Sequence, residues 1–223
     1  MISPADWRAA TVVSREQAAE DMVAVRITPD HPVSHTPGQH YEIRIPRDAL
    51  SRKFSIVSSP ANCEILEFGI QILKNGMVSP RLGRVAPGEP LEIRGPLGRA
   101  FGWSPRVSGN LLLLGAGAGA TPLLSMWDDF HENHCPGICR FALSAKTPGR
   151  VYRYERYSDW QELRFTSSGP RLDRGDLERL LSGMPRSDLS VRICGPSGFI
   201  TTMANNLVAL GVDEARIRSE GFA

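Results

Sequence analysis

The 223-residue chain lacks most of the features that would assign it to a membrane, a nucleic acid or a disulfide scaffold. It has only four cysteines, Cys63, Cys135, Cys139 and Cys194. Only Cys135 and Cys139 lie close together, so none of the spacings that hold an iron–sulfur cluster occurs. A chain of this size can bury an adequate core without covalent staples, and a disulfide framework is not expected. No apolar run is long enough to cross a bilayer. The first ten residues carry Asp6, Trp7 and Arg8 in place of an apolar signal core, so the expected location is the cytoplasm. An excess of one charge is also missing. Lys and Arg number 26 against 24 Asp and Glu, a net charge of +2. That balance excludes the basic excess of a nucleic-acid binder, yet suits local contact with an acidic protein partner.

What remains is an ordinary globular composition, 41% hydrophobic and 22% charged, in a length that suits two domains. Residues 1–105 read as short strands separated by turn residues. The candidates are Thr11–Val13, Met22–Thr28, His40–Ile45, Phe54–Val57, Leu66–Leu73 and Leu91–Arg94. Val23, Val25 and Ile27 alternate with their neighbours, as do Tyr41, Ile43, Ile45 and Phe68, Ile70, Ile72. Period two predicts one buried and one wet face. With Pro37-Gly38, Asn75-Gly76, Pro87-Gly88 and Gly95-Pro96 between them, these runs predict a six-stranded antiparallel Greek-key barrel.

The pattern changes after Trp103–Asn110, the expected join. Leu111–Leu114 is a solid apolar run, as in a strand buried on both faces. Strands are expected at Phe141–Leu143, Leu163–Thr166 and Val191–Cys194, and helices at Thr121–His131, Leu172–Leu181 and Phe199–Leu210. The alternation predicts a parallel α/β sheet over residues 106–223.

The strongest local signal is the buried strand that runs straight into Gly115-Ala116-Gly117-Ala118-Gly119 and then a helix. Glycines let a backbone approach a pyrophosphate, and a helix N-terminus offers free N–H groups and partial positive charge. The third glycine comes one residue early for the dinucleotide fingerprint, and no acidic residue ends the next strand to hold a ribose. Pro122 suits the first helical turn. A glycine-rich turn used only for packing fits the same pattern.

Five segments, in order, resemble the ferredoxin–NADP reductase superfamily over essentially the whole chain. They are most similar to stand-alone bacterial FAD-binding oxidoreductases without a fused iron–sulfur domain. Arg52-Lys53-Phe54-Ser55 resembles the flavin motif Arg-x-Tyr-Ser, with Phe54 in place of tyrosine. Gly76-Met77-Val78-Ser79 resembles the segment that holds the flavin pyrophosphate. Gly117-Ala118-Gly119-Ala120-Thr121-Pro122 resembles Gly-Thr-Gly-x-x-Pro, with Ala118 replacing the threonine. Cys194-Gly195-Pro196 and Glu220-Gly221-Phe222 resemble the family's strand-end and C-terminal motifs.

The resemblance implies FAD and NAD(P)H as cofactors. Arg52 would meet a flavin phosphate, Phe54 would lie on the ring, and Ser55 would sit near its N5. Cys194 and Glu220 would flank the nicotinamide, and Phe222 would stack on the flavin until displaced. Ser55, Cys194 and Glu220 would then act by positioning. Thr166-Ser167-Ser168 lacks the Ser-Arg pair of NADPH-preferring relatives, which points to NADH, although Lys146, Arg171 or Arg174 could meet a 2′-phosphate. Electrons would pass to a separate ferredoxin, oxygenase or other redox protein, with the enzyme a monomer. Three other readings remain open: a non-catalytic flavin or dinucleotide sensor, one fragment of a longer iron–sulfur flavoprotein, and a zinc site at His131, His134, Cys135 and Cys139.

Overall fold

The computed structural model describes residues 4–104, 109–156 and 162–221. The expected join, Trp103–Asn110, therefore includes four residues outside the described ones, and Phe222 lies outside them as well. The first half is a six-stranded antiparallel sheet of strands β1 (Arg8–Ala19), β2 (Met22–Pro29), β3 (His40–Arg44), β4 (Arg52–Ser55), β5 (Leu66–Gln71) and β6 (Pro90–Leu97). A short helix α1 (Ser79–Leu82) lies between β5 and β6. The order is β4-β3-β6-β1-β2-β5, so the last strand returns between β3 and β1 as a Greek key requires. A bridge between Ile56 and Phe68 joins the two outer edges, and Val23, Val25, Ile27, Ile43, Phe68 and Ile70 fill the interior.

Three expectations about this half need correction. The first strand is far longer than Thr11–Val13, because polar residues Ser14–Gln17 continue the ladder to β2 through two register shifts. The second face of β2 and β5 is not wet. Met22, Ala24, Glu67 and Gly69 are buried together with their alternating neighbours, because the second domain covers that face. The fourth strand is also displaced by two residues from Phe54–Val57. Arg52–Ser55 pairs with β3, and the chain then crosses over to meet β5 at Ile56.

The second half is a five-stranded parallel sheet in the order β11-β10-β7-β8-β9. Its strands are β7 (Asn110–Ala116), β8 (Cys139–Ala145), β9 (Glu162–Phe165), β10 (Leu189–Gly195) and β11 (Ile217–Gly221). Helices α2 (Ala120–Glu132), α3 (Arg174–Leu181) and α4 (Ser197–Ala209) cover it. The apolar run of β7 is explained by its two covers. Leu111 and Leu113 point into a core shared with α2 and the barrel, and Leu112 and Leu114 into a core under α3 and α4. Helix α3 starts two residues later than Leu172, because Asp173 and Asp176 form a reciprocal capping box. Strand β11 was not expected from its sequence, Ile-Arg-Ser-Glu-Gly, which has little apolar content; its ladder to β10 makes it a strand.

Among the polar contacts that tie the two halves, three stand out. Glu67 of β5 accepts from Tyr152 Oη at 2.7 Å, Arg153 Nε at 3.2 Å and Arg26 Nε at 2.7 Å. Arg192 of β10, buried and without a carboxylate partner among the described residues, donates to the carbonyls of Phe101 at 2.8 Å and Gly102 at 2.9 Å. Burial pulls its guanidinium down to about 10. Glu20 N donates to Gly149 O at 2.7 Å, closing the β1–β2 turn on the second domain.

Burial raises the Glu67 carboxyl, but Tyr152, Arg153 and Arg26 outweigh it and hold the group below the ordinary glutamate range. A depressed carboxylate contributes stability above its unfolded value, about pH 4.3, and loses it as pH falls through the folded value. Glu67→Gln is expected to destabilise the chain by about 3 kcal/mol at neutral pH. In denaturant titrations the gap to the parent should shrink in acid, below about pH 4.

Candidate active site

Of the cavities along the seam between the domains, two are lined by the motif residues. The first, of about 530 Å³, is lined by Arg52, Phe54 and Ser55 of β4, by Gly76 and Ser79, and by Thr121 of α2, among others. That volume suits a cofactor of drug-like size or larger. Its wall offers an exposed guanidinium at Arg52, the half-buried ring of Phe54 and the buried hydroxyl of Ser55. The Ser79 hydroxyl accepts from Leu73 N–H at 3.1 Å, so its proton is free to point elsewhere. Thr121 donates its hydroxyl to Ala118 O at 2.9 Å, fixing the turn before α2.

The second cavity, of about 500 Å³, runs past Gly117, Ala118 and Pro196 to Lys146, Arg150 and Arg171. It lies at the carboxyl ends of β7 and β10, where the strand order reverses, the place where open α/β sheets bind ligands. Gly117 has φ +56° and Gly119 lies so close to β10 that an added Cβ would meet Cys194 O at 2.2 Å. No side chain caps α2, so its first N–H groups face the turn unpaired by side chains. The two cavities share Gln71 and Ala118, so their occupants would meet there.

A row of polar groups lies behind this junction. Ser55 pairs with His40 across β4 and β3. His40 Nδ1 stands 3.5 Å from Glu220 Oε1. Glu220 in turn pairs with Cys194 across β11 and β10, and Cys194 with Gly115. Burial, and then Glu220, push the Cys194 thiol well up. It is therefore a neutral thiol and not a nucleophilic thiolate. Burial raises the Glu220 carboxyl against the pull of Lys53. Burial lowers His40, with Lys53 acting the same way and Glu42 opposing.

Residues 9–101 match the family model of the oxidoreductase FAD-binding domain. The matched stretch is the barrel, from β1 to just beyond β6. It is 28% identical over 140 residues to the reductase component of propane 2-monooxygenase from Mycolicibacterium smegmatis, covering 61% of this chain and 40% of that protein. It is 26% identical over 234 residues to the ferredoxin reductase component of 3-ketosteroid-9-alpha-monooxygenase from Rhodococcus rhodochrous, covering 93% and 62%. In fold it is similar to phthalate dioxygenase reductase, with a TM-score of 0.84 at 16% identity over 97% of this chain and 68% of that one. The chain thus spans well under two thirds of the length of the curated relatives it matches first.

Within this fold, Arg52, Lys53, Phe54, Ser55, Gly76, Met77, Val78, Ser79, Ala118 and Thr121 all border the first cavity. Gly117, Ala118 and Pro196 border the second. Gly119, Pro122, Cys194, Gly195 and Glu220 border neither; they shape the wall from behind. Sequence reasoning missed His40 and Gln71, which lie beside turn and strand residues read as structural. A buried titratable group opening a strand was the one available signal for His40. The zinc reading has no matching group of three or more ligands among the described residues, and His131 Nδ1 lies 2.7 Å from Trp127 O.

Gly119→Ala is expected to destabilise the fold by about 2 kcal/mol, since backbone meets the new methyl. Thermal denaturation should register that loss, and calorimetric titration should find ADP-ribose binding weakened.

Proposed function

We propose that the chain is an FAD-dependent NAD(P)H oxidoreductase. On this reading a hydride passes from nicotinamide to flavin, and electrons go on to a separate acceptor. The observation that carries it is the convergence of a flavin-sized cavity and a strand-order-reversal cavity at Gln71 and Ala118. The donor set of the first cavity fits FAD: a guanidinium for phosphate, a flat ring for the isoalloxazine, and hydroxyls at both ends. When bound, FAD supplies a centre that accepts a hydride and releases electrons singly or in pairs.

The chain's own residues then bind and orient. Arg52 holds phosphate, Phe54 shields a ring face, and Ser55 presents its hydroxyl from the cavity wall. Cys194, as a neutral thiol, and Glu220 close the nicotinamide side, while Gly117 and Gly119 let the dinucleotide backbone approach. Phe222 would cover the flavin from the segment beyond β11. Residues 1–105 would form the FAD domain and 106–223 the nucleotide domain, in a cytoplasmic monomer. The relatives' names as reductase components of oxygenase systems support an oxygenase component or ferredoxin as the acceptor. A non-catalytic sensor would give protein whose yellow colour survives anaerobic NAD(P)H.

The donor nucleotide turns on a few side chains. The Thr166–Ser168 turn favours NADH, whereas Lys146 and Arg171 at the second cavity, with no ion pair between either and a described carboxylate, favour a 2′-phosphate. We take the cations as decisive and assign NADPH. Lys146→Ala is then expected to lower kcat/KM for NADPH about tenfold, as loss of a charge-assisted contact implies, and to leave NADH turnover nearly unchanged. Steady-state assays with both nucleotides check this.

Ser55→Ala should slow flavin reduction about tenfold in anaerobic rapid mixing while flavin content stays near the parent's. Arg52→Ala should instead shed flavin during purification. An unchanged hydride rate in the first variant, or full retention in the second, would remove those roles.

A further inference from the structure

His40 and Glu220 come from different domains and meet behind the cavity junction. His40 opens β3 and is the ladder partner of Ser55; Glu220 lies on β11 and is the ladder partner of Cys194. Their closest atoms are 3.5 Å apart, with side chains 8% and 27% exposed. His40 Nδ1 and Glu220 Oε2 are both buried with no hydrogen-bond partner. Unpaired buried groups of this kind are rare in folded proteins and costly. A small shift of β11 would satisfy both at once. The imidazole also packs against Gly98, where an added Cβ would lie 2.8 Å from Nδ1, so its plane has little freedom.

We infer that His40 is a positioning residue: its Nδ1–H is held as the donor that fixes the Glu220 carboxylate, and so sets the nicotinamide side against the flavin wall that carries Ser55. The inference rests on the proposed function for its purpose, but the contact itself does not. The Nδ1–H tautomer is required, since a carboxylate only accepts. The charged or titratable groups facing the pair are Lys53 on β4, Glu42 on β3 and Cys194 on β10. Lys53 lowers both members, while burial, the larger effect on each, lowers His40 and raises Glu220.

The test uses the full chain labelled with 15N-histidine. The His40 signal among the five histidines is assigned by its loss in His40→Asn. In Glu220→Gln, loss of the neighbouring carboxylate should lower the His40 pKa by at least about half a unit, a roughly threefold weaker proton affinity. A smaller shift, or a rise, overturns the inference. The second arm compares His40→Leu with His40→Asn, which keeps an N–H near the Nδ1 position. The leucine variant should reduce flavin about tenfold more slowly at unchanged flavin content, and the asparagine variant should recover part of that rate. Equal rates in the two variants overturn the inference. If the parent binds no flavin, the proposed function fails, and the titration alone still judges the pair.

Discussion

Both cavities depend on the seam between the barrel and the parallel sheet, and Glu67 anchors that seam. One carboxylate, nearly buried, receives a tyrosine hydroxyl and an arginine from the second domain and another arginine from its own sheet. Removing two charges from water is costly, and the arrangement is stable only with every partner in place. Around it a shared apolar core spans Met22, Ala24 and Val57 from the barrel and Leu113, Leu123 and Tyr152 from the second domain. Arg192 fixes the chain segment between the domains from the other side, bonding two of its carbonyls.

With the seam fixed, the site follows from geometry. Strand β4 supplies Arg52, Phe54 and Ser55 to one cavity wall, and the β7–α2 turn supplies Gly117 and Ala118 to the other. The row Ser55, His40, Glu220, Cys194 crosses the seam through two ladders and one contact between domains. A shift of one domain against the other would therefore be felt at the positions expected to flank the nicotinamide before it reached the flavin phosphate site.

The relatives are named as reductase components of oxygenase systems, and this chain covers 40% of the first of them. On the proposed reading, electrons collected by the flavin leave toward a separate redox partner.

The sequence by itself determined the two classes of layer, nearly every strand, and the candidate residues that line the first cavity, because periodicity, turn residues and contiguous motifs are local properties. Arg52 to Ser55 and Gly76 to Ser79 could be read as candidates for one site for the same reason. Tertiary structure decided what no window of sequence contains. It showed that the second face of β2 and β5 is covered, because another domain lies there. It made Ile217–Gly221 a strand, because β10 offered it a ladder. It brought His40 to Glu220 across 180 positions of chain, because burial and hydrogen bonding are settled by whichever groups the fold leaves adjacent.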